Sequence, residues 1–207
     1  MRADDCRDDV REVLYTEEQI RSRLAELARE IERDYEGREP LLIGVLKGAV
    51  MVVSDLSREL RIPVTMDWMA VSSYGSGTTS SGVVRIVKDL DTDLTDKDVL
   101  IVEDIIDSGL TLSWLKSNLE SRGPNSVEIC TLLRKPSRLK SDVPVKYIGY
   151  DVPNEFVVGY GLDYDEAYRH LRDVVVLKPH VYGGEETVEP EREQLEEGAG
   201  PSEHPEV

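Results

Sequence analysis

The chain has 207 residues, 40% of them hydrophobic, and a formal net charge of −17. That length suits one well-buried α/β domain rather than two, and the acidic balance argues against a nucleic-acid binder. No apolar run approaches the roughly 18 residues that mark a membrane span, and the charged segment 1–10 lacks the apolar centre of a secretory signal.

Residues 1–15 are mostly polar and are expected to form a loosely ordered leader. A single domain is expected over 16–182. Thr16 with Gln19 is a capping-box pattern, and Ile20, Leu24, Leu27, Ala28 and Ile31 follow at helical spacing. An amphipathic helix is therefore predicted over 17–35. The apolar run 41–46 reads as a buried strand. Residues 49–60 read as a helix, with Val52, Leu56 and Leu60 on one face. Val64, Met66, Trp68 and Ala70 alternate with polar residues, the pattern of a half-buried strand. Residues 74–82 are rich in Gly, Ser and Thr and read as the long tip of a hairpin whose second strand is 83–90. A strand at 98–102, a helix at 110–121 and short strands at 127–133, 146–150 and 157–160 complete the pattern. Strands alternating with helices imply a mainly parallel sheet with helices on both faces. From 183 onward the chain is Glu-, Gly- and Pro-rich and is expected to be an acidic disordered tail. Its glutamates carry about half of the net charge, and adaptation to high salt is the other reading of that charge. Cys6 and Cys130 are the only cysteines and lack metal-ligand spacing, as in a reduced cytoplasmic protein.

Chemistry concentrates at 99–111. Four apolar residues run into Glu103 and Asp104, a third acid stands at Asp107, and Ser108-Gly109-Leu110-Thr111 opens the next helix. Backbone N–H groups and hydroxyls at a helix N-terminus cradle phosphate. Carboxylates beside a phosphate site are consistent if the ligand also carries a ribose diol and Mg²⁺. The plain alternative is a strand–turn–helix with surface acids. No Walker loop and no G-x-G-x-x-G fingerprint occurs in the chain.

Residues 99–111 resemble the signature of the type I phosphoribosyltransferases, which bind phosphoribosyl diphosphate. Leu46-Lys47-Gly48 resembles their diphosphate loop, and Ser73-Tyr74-Gly75 the start of their flexible catalytic loop. The run from Phe156 to Tyr164 resembles the base-binding segment of the hypoxanthine/guanine branch. The likeness extends over 16–182. It implies a twisted, mainly parallel sheet flanked by helices, with a small hood formed by the terminal segments.

The resemblance also implies roles. Glu103 and Asp104 would lie near the ribose hydroxyls and the metal, with Asp163 as the second metal-site acid. Asp107 would manage the proton at N7 of the purine. Asp107, Ser108, Gly109, Leu110 and Thr111 would wrap the 5′-phosphate, with Leu110 standing where some relatives carry Lys. Lys47, Gly48 and Arg169 would meet the diphosphate, and in the family the peptide before this lysine can be cis. Lys135 would donate to the exocyclic oxygen at C6, which favours 6-oxopurines over adenine. Phe156 would stack on the purine, and Val157 would read the base edge through its main chain. A loop beginning at Ser73, Tyr74 and Gly75 would exclude water from a cation-like sugar. Each residue also has a plain reading: Lys47 and Lys135 as strand-end cations, Phe156 as core, and 74–82 as a hairpin tip. The expected partners are phosphoribosyl diphosphate, a 6-oxopurine and Mg²⁺, in a cytoplasmic homodimer or homotetramer. A xanthine-preferring enzyme and a phosphoribosyl-diphosphate-sensing regulator are the alternatives.

Overall fold

The computed structural model of the chain describes residues 1–73 and 84–183. Strand β1 (Val10–Tyr15) turns into helix α1 (Glu17–Asp34). The turn is held as the capping pattern predicts. Gln19 N–H donates to Thr16 Oγ1 at 3.3 Å, and Thr16 N–H donates to Gln19 Oε1 at 2.9 Å. There follow β2 (Leu41–Leu46), α2 (Val50–Glu59), β3 (Thr65–Ser73), β4 (Val84–Lys88), β5 (Asp98–Ile106) and α3 (Leu110–Glu120). Strands β6 (Ser126–Arg134), β7 (Tyr147–Asp151), β8 (Val157–Val158) and β9 (Val174–Leu177) complete the described chain. Among the described residues no helix is long and apolar enough to cross a membrane.

Six strands form one sheet in the order β4-β3-β2-β5-β6-β7. All neighbours are parallel except β3 and β4. Alternate residues of the central strands face opposite layers. Leu42, Leu100, Val102, Cys130 and Leu132 pack with α1 and α2 on one face. Leu41, Ile43, Val99, Ile101 and Ile129 pack with α3 on the other. Burial on both faces explains why β2 and the first half of β5 are continuous apolar runs. The chain leaves β2 towards β3 and leaves β5 towards β6, in opposite directions along the sheet. The carboxyl ends of β2 and β5 are thus the topological switch point, where open α/β sheets bind ligands.

Three expectations on the elements need correction. The leader is not loose: β1 pairs antiparallel with β9, and Ala3 is buried against Val158, Leu171, Val175 and Leu177. Together β1, β9 and β8 form a separate three-stranded sheet. Strand β5 does not stop at Val102, because Glu103, Ile105 and Ile106 continue the pairing with Thr131, Leu133 and Arg134. Strand β8 ends at Val158, since Gly159, Tyr160 and Gly161 all adopt positive φ. The strand Val174–Leu177 was not expected. The hairpin tip and the acidic tail beyond Gly183 lie outside the described residues.

Candidate active site

The loop after β2 is the first wall of the site. The Leu46–Lys47 peptide is cis. Gly48 follows, and a Cβ there would lie 1.7 Å from Asp104 Oδ2. Only glycine lets the loop approach that carboxylate. Gly161 closes against the same loop: its φ is +102°, and a Cβ on it would lie 2.0 Å from the Gly48 carbonyl oxygen. The 161–169 segment is folded back on itself. Gly161 N–H donates to the Arg169 carbonyl at 2.9 Å, and Arg169 Nη1 donates to the Gly161 carbonyl at 2.8 Å.

Charges gather on this wall. Arg169 Nη2 stands 2.9 Å from Asp163 Oδ1 and 3.3 Å from Glu166 Oε1. Lys47 Nζ donates to Glu166 Oε2 at 2.7 Å. Glu166 N–H donates to Asp163 Oδ2 at 2.9 Å. Lys47 first, then Arg169, holds the Glu166 carboxyl below its ordinary value. Arg169 Nε is buried with no hydrogen-bond partner among the described residues. A buried charged donor without a partner is costly, so an anionic ligand here would relieve it. The fold thus brings together Lys47, Gly48, Asp104, Asp163 and Arg169, which are scattered over more than half the chain.

Strand β5 and its following loop make the second wall. Because the strand runs through Glu103 and Asp104, their side chains leave on opposite faces. Asp104 goes to the α2 side, against Gly48. Glu103 goes to the α3 side, where it lines a cavity of about 230 Å³ with Ile105, Asp107, Ser108, Gly109 and Thr111. Burial, then repulsion from Asp104, raises the Glu103 carboxyl well above its ordinary value. Burial pushes Asp104 up to about 6, despite the Ile105 N–H that donates to its Oδ1 at 2.8 Å and despite the charge of Arg169. Both carboxylates are therefore short of positive charge. Among the described residues no three His, Cys, Asp or Glu side chains converge to hold a metal ion. Glu103, Asp104 and Asp163 are thus not a closed cage made by protein alone.

Gly109 adopts a φ of 74° as the N-cap of α3, a conformation glycine takes without steric cost. It swings the loop so that the first turn of α3 faces the cavity. The amides of Leu110 and Thr111 belong to that turn, whose leading N–H groups have no partner within the helix. Ser108 Oγ lies 3.4 Å from the Leu110 amide.

A third group of residues lies at the carboxyl end of β6. Lys135 is only 9% exposed, and its N–H donates to the Ile106 carbonyl at 2.9 Å. Its Nζ stands 3.7 Å from Asp107 Oδ2. Arg138 Nε donates to Asp107 Oδ1 at 2.9 Å. Val152 N–H donates to the Arg134 carbonyl at 2.8 Å, so the chain towards Phe156 leaves from the same end of the sheet. Phe156 is 38% exposed, whereas Val157 is buried opposite Val176. Ser73 ends β3, and Tyr74 and Gly75 lie outside the described residues.

Sequence reasoning missed Glu166, Gly161 and Arg138. Glu166 sits among the acids at 163–166, but nothing local says that it reaches Lys47. Gly161 stood inside the run from Phe156 to Tyr164, but nothing local says that it closes on Gly48. Arg138 lies in a short turn after β6 and carries no pattern at all. Taken together, the site offers the Lys47 and Arg169 cations, the N-terminus of α3 and the buried Lys135 at the carboxyl end of one sheet. The Glu103 and Asp104 carboxylates stand on strand β5, on opposite faces of it.

Comparisons with known proteins identify the family. Residues 11–165 match the phosphoribosyl transferase domain family. The hypoxanthine-guanine phosphoribosyltransferase of Mycobacterium tuberculosis H37Rv is 57% identical over 180 residues, covering 84% of this chain and 89% of that protein. The Bacillus subtilis protein of the same name is 51% identical over 174 residues, covering 84% and 97%. The crystal structure of a Staphylococcus aureus hypoxanthine phosphoribosyltransferase superposes with a TM-score of 0.83 at 48% identity, covering 86% of this chain and 97% of that one.

Proposed function

The chain belongs to the phosphoribosyl transferase domain family, and from that premise we propose that it transfers 5-phosphoribosyl from phosphoribosyl diphosphate to hypoxanthine or guanine. The products are IMP or GMP and diphosphate, as in purine salvage. The observation that carries the reading is the pairing, at the carboxyl ends of the central strands, of the Lys47–Arg169 anion site with the buried Lys135 beside Asp107.

Each residue then has a task. Arg169, Lys47 and the Gly48 backbone hold the diphosphate and stabilise it as it leaves. The loop from Ser108 to Thr111 holds the 5′-phosphate. It does so through backbone N–H groups, so Leu110 in place of a lysine leaves the cradle intact. Glu103 accepts from the ribose hydroxyls. Lys135 donates to the 6-oxo group, and against adenine it would face another donor, at a cost of about 1–3 kcal/mol. Asp107 manages the purine proton as N9 bonds to C1′. Phe156 stacks on the purine, and Val157 main-chain groups meet its edge. A loop starting at Ser73, Tyr74 and Gly75 excludes water. The small sheet of β1, β9 and β8 serves as a hood over the base.

Mg²⁺ fits this donor set. It usually keeps one or two carboxylates plus substrate phosphates rather than a protein cage, and a cation would relieve the charge shortage at Asp104, with Glu103 and Asp163 in support. When bound with the donor it neutralises the leaving diphosphate. We place the enzyme in the cytoplasm, as a homodimer or homotetramer.

One assay tests the reading. The protein is incubated with phosphoribosyl diphosphate and Mg²⁺, and hypoxanthine, guanine, xanthine and adenine are offered separately. Nucleotide should form with hypoxanthine and guanine. Product from xanthine above all would move the assignment to a sister enzyme. No product from any base would leave a donor-binding regulator.

A further inference from the structure

Phe156 keeps 38% of its surface exposed although two rings lie against it. Tyr182 stacks on it with centroids 4.9 Å apart and planes 19° from parallel. Tyr164 meets it edge-on, at 5.6 Å and 86°. A phenyl ring has two faces, and Tyr182 covers one. A purine cannot enter between the two rings, because a third ring would need them roughly 7 Å apart. With 38% of its surface exposed, the part of the Phe156 ring that Tyr182 leaves uncovered is the part available to a base.

We propose that Tyr182 is a positioning residue of the base site, backing Phe156 so that its exposed surface is held ready for the purine. This rests on the reading of Phe156 as the stacking platform. The support is built into the main chain. Leu177 N–H donates to the Phe156 carbonyl at 3.1 Å, Lys178 N–H to the Asp9 carbonyl at 2.8 Å, and Tyr182 N–H to the Pro179 carbonyl at 3.2 Å. The turn Pro179–Val181 thus carries Tyr182 back onto the residue where β9 meets the platform. Next to Phe156 in sequence, Glu155 pairs with Arg11 at 3.0 Å. An aromatic platform with one face backed loses less rotamer freedom when a base binds, which is a preorganisation effect on base affinity.

The test is steady-state kinetics on the full chain with hypoxanthine and Mg²⁺–phosphoribosyl diphosphate. Wild type is compared with Tyr182→Ala, Tyr182→Phe and Phe156→Ala. Tyr182→Ala should raise KM for hypoxanthine about three- to tenfold, the range of one aromatic pair, while KM for the donor stays within twofold. Tyr182→Phe keeps the ring and should restore the base KM. An unchanged base KM in Tyr182→Ala overturns the proposal. So does a lowered one, since Tyr182 would then be covering the face the base needs, and so does an equal rise in donor KM. Should Tyr182→Ala fail to fold, Tyr182→Leu keeps the apolar bulk and must show the same selective rise. Phe156→Ala separates the two layers of the argument: no rise in base KM there means that the platform reading itself fails.

Discussion

Replacing Gly48 by alanine should damage the donor site through Asp104. The new Cβ would lie 1.7 Å from Asp104 Oδ2 and 2.5 Å from its Cγ. A carbon and an oxygen without a bond between them settle at about 3.3 Å or more, so loop and carboxylate must part by about 1.5 Å. The carboxylate is not free to swing, because its Oδ1 accepts from the Ile105 N–H at 2.8 Å. A misplacement near 1 Å in a reacting constellation costs on the order of 100-fold in rate. We therefore expect kcat/KM for phosphoribosyl diphosphate to fall by about that factor. Overpacking of this kind also costs about 1–3 kcal/mol, or roughly 2–12 °C in Tm for a domain of this size. The assay is donor-saturation kinetics alongside a thermal melt. Adding Asp104→Ala removes the clash, so the double variant should melt above Gly48→Ala while remaining inactive. Wild-type kcat/KM with an unchanged Tm in Gly48→Ala would refute the reasoning.

Three other perturbations have defined outcomes. Asp107→Asn should lower kcat far more than donor KM, because it removes a proton-handling group and leaves the phosphate loop in place; equal kcat would strip Asp107 of that role. Glu166→Gln releases Lys47 and Arg169 from a competing carboxylate and should lower donor KM severalfold. The gain should shrink as added salt screens the exposed pairs, and a raised KM at low salt would instead make Glu166 part of donor binding. Asp67→Asn should cost about 1–3 kcal/mol near neutral pH. Asp67 Oδ2 accepts the Asp91 and Thr92 N–H groups, each at 2.9 Å, and Oδ1 accepts Trp68 N–H at 2.7 Å. An amide has one acceptor oxygen, so it cannot serve both sides. Burial alone would raise the Asp67 carboxyl, but the hydrogen bonds from Trp68, Thr92 and Asp91 outweigh it and hold it below its ordinary value. Its contribution is therefore complete above the unfolded value of about 3.9 and fades as pH falls through the lower folded value. The difference in Tm between wild type and variant should narrow only in acid; a difference that stays constant through that range would show that the Asp67 carboxyl is not held below its ordinary value in the native state.

Some of this protein was legible in the sequence because the forces are local. Helix α1 carries its own cap and its own apolar face, so Thr16, Gln19 and the run from Ile20 to Ile31 name it unaided. Strand β2 and the first half of β5 are buried on both sides, and that writes them as unbroken apolar runs. The motif at 99–111 is contiguous, and contiguity is why its resemblance to a phosphate-binding signature could be recognised. Tertiary structure decided what depends on segments far apart in the chain. The leader became β1 only because β9 offers it an edge, about 160 residues away. Glu103 and Asp104 parted to opposite faces because the strand persists to Ile106, and that persistence depends on the pairing with β6. Lys47 met Glu166, and Gly48 met both Asp104 and Gly161, because the positive-φ run from Gly159 to Gly161 turns the chain back onto the β2 loop. No local pattern encodes such encounters. They follow from how a folded backbone brings distant residues within hydrogen-bonding and van der Waals range.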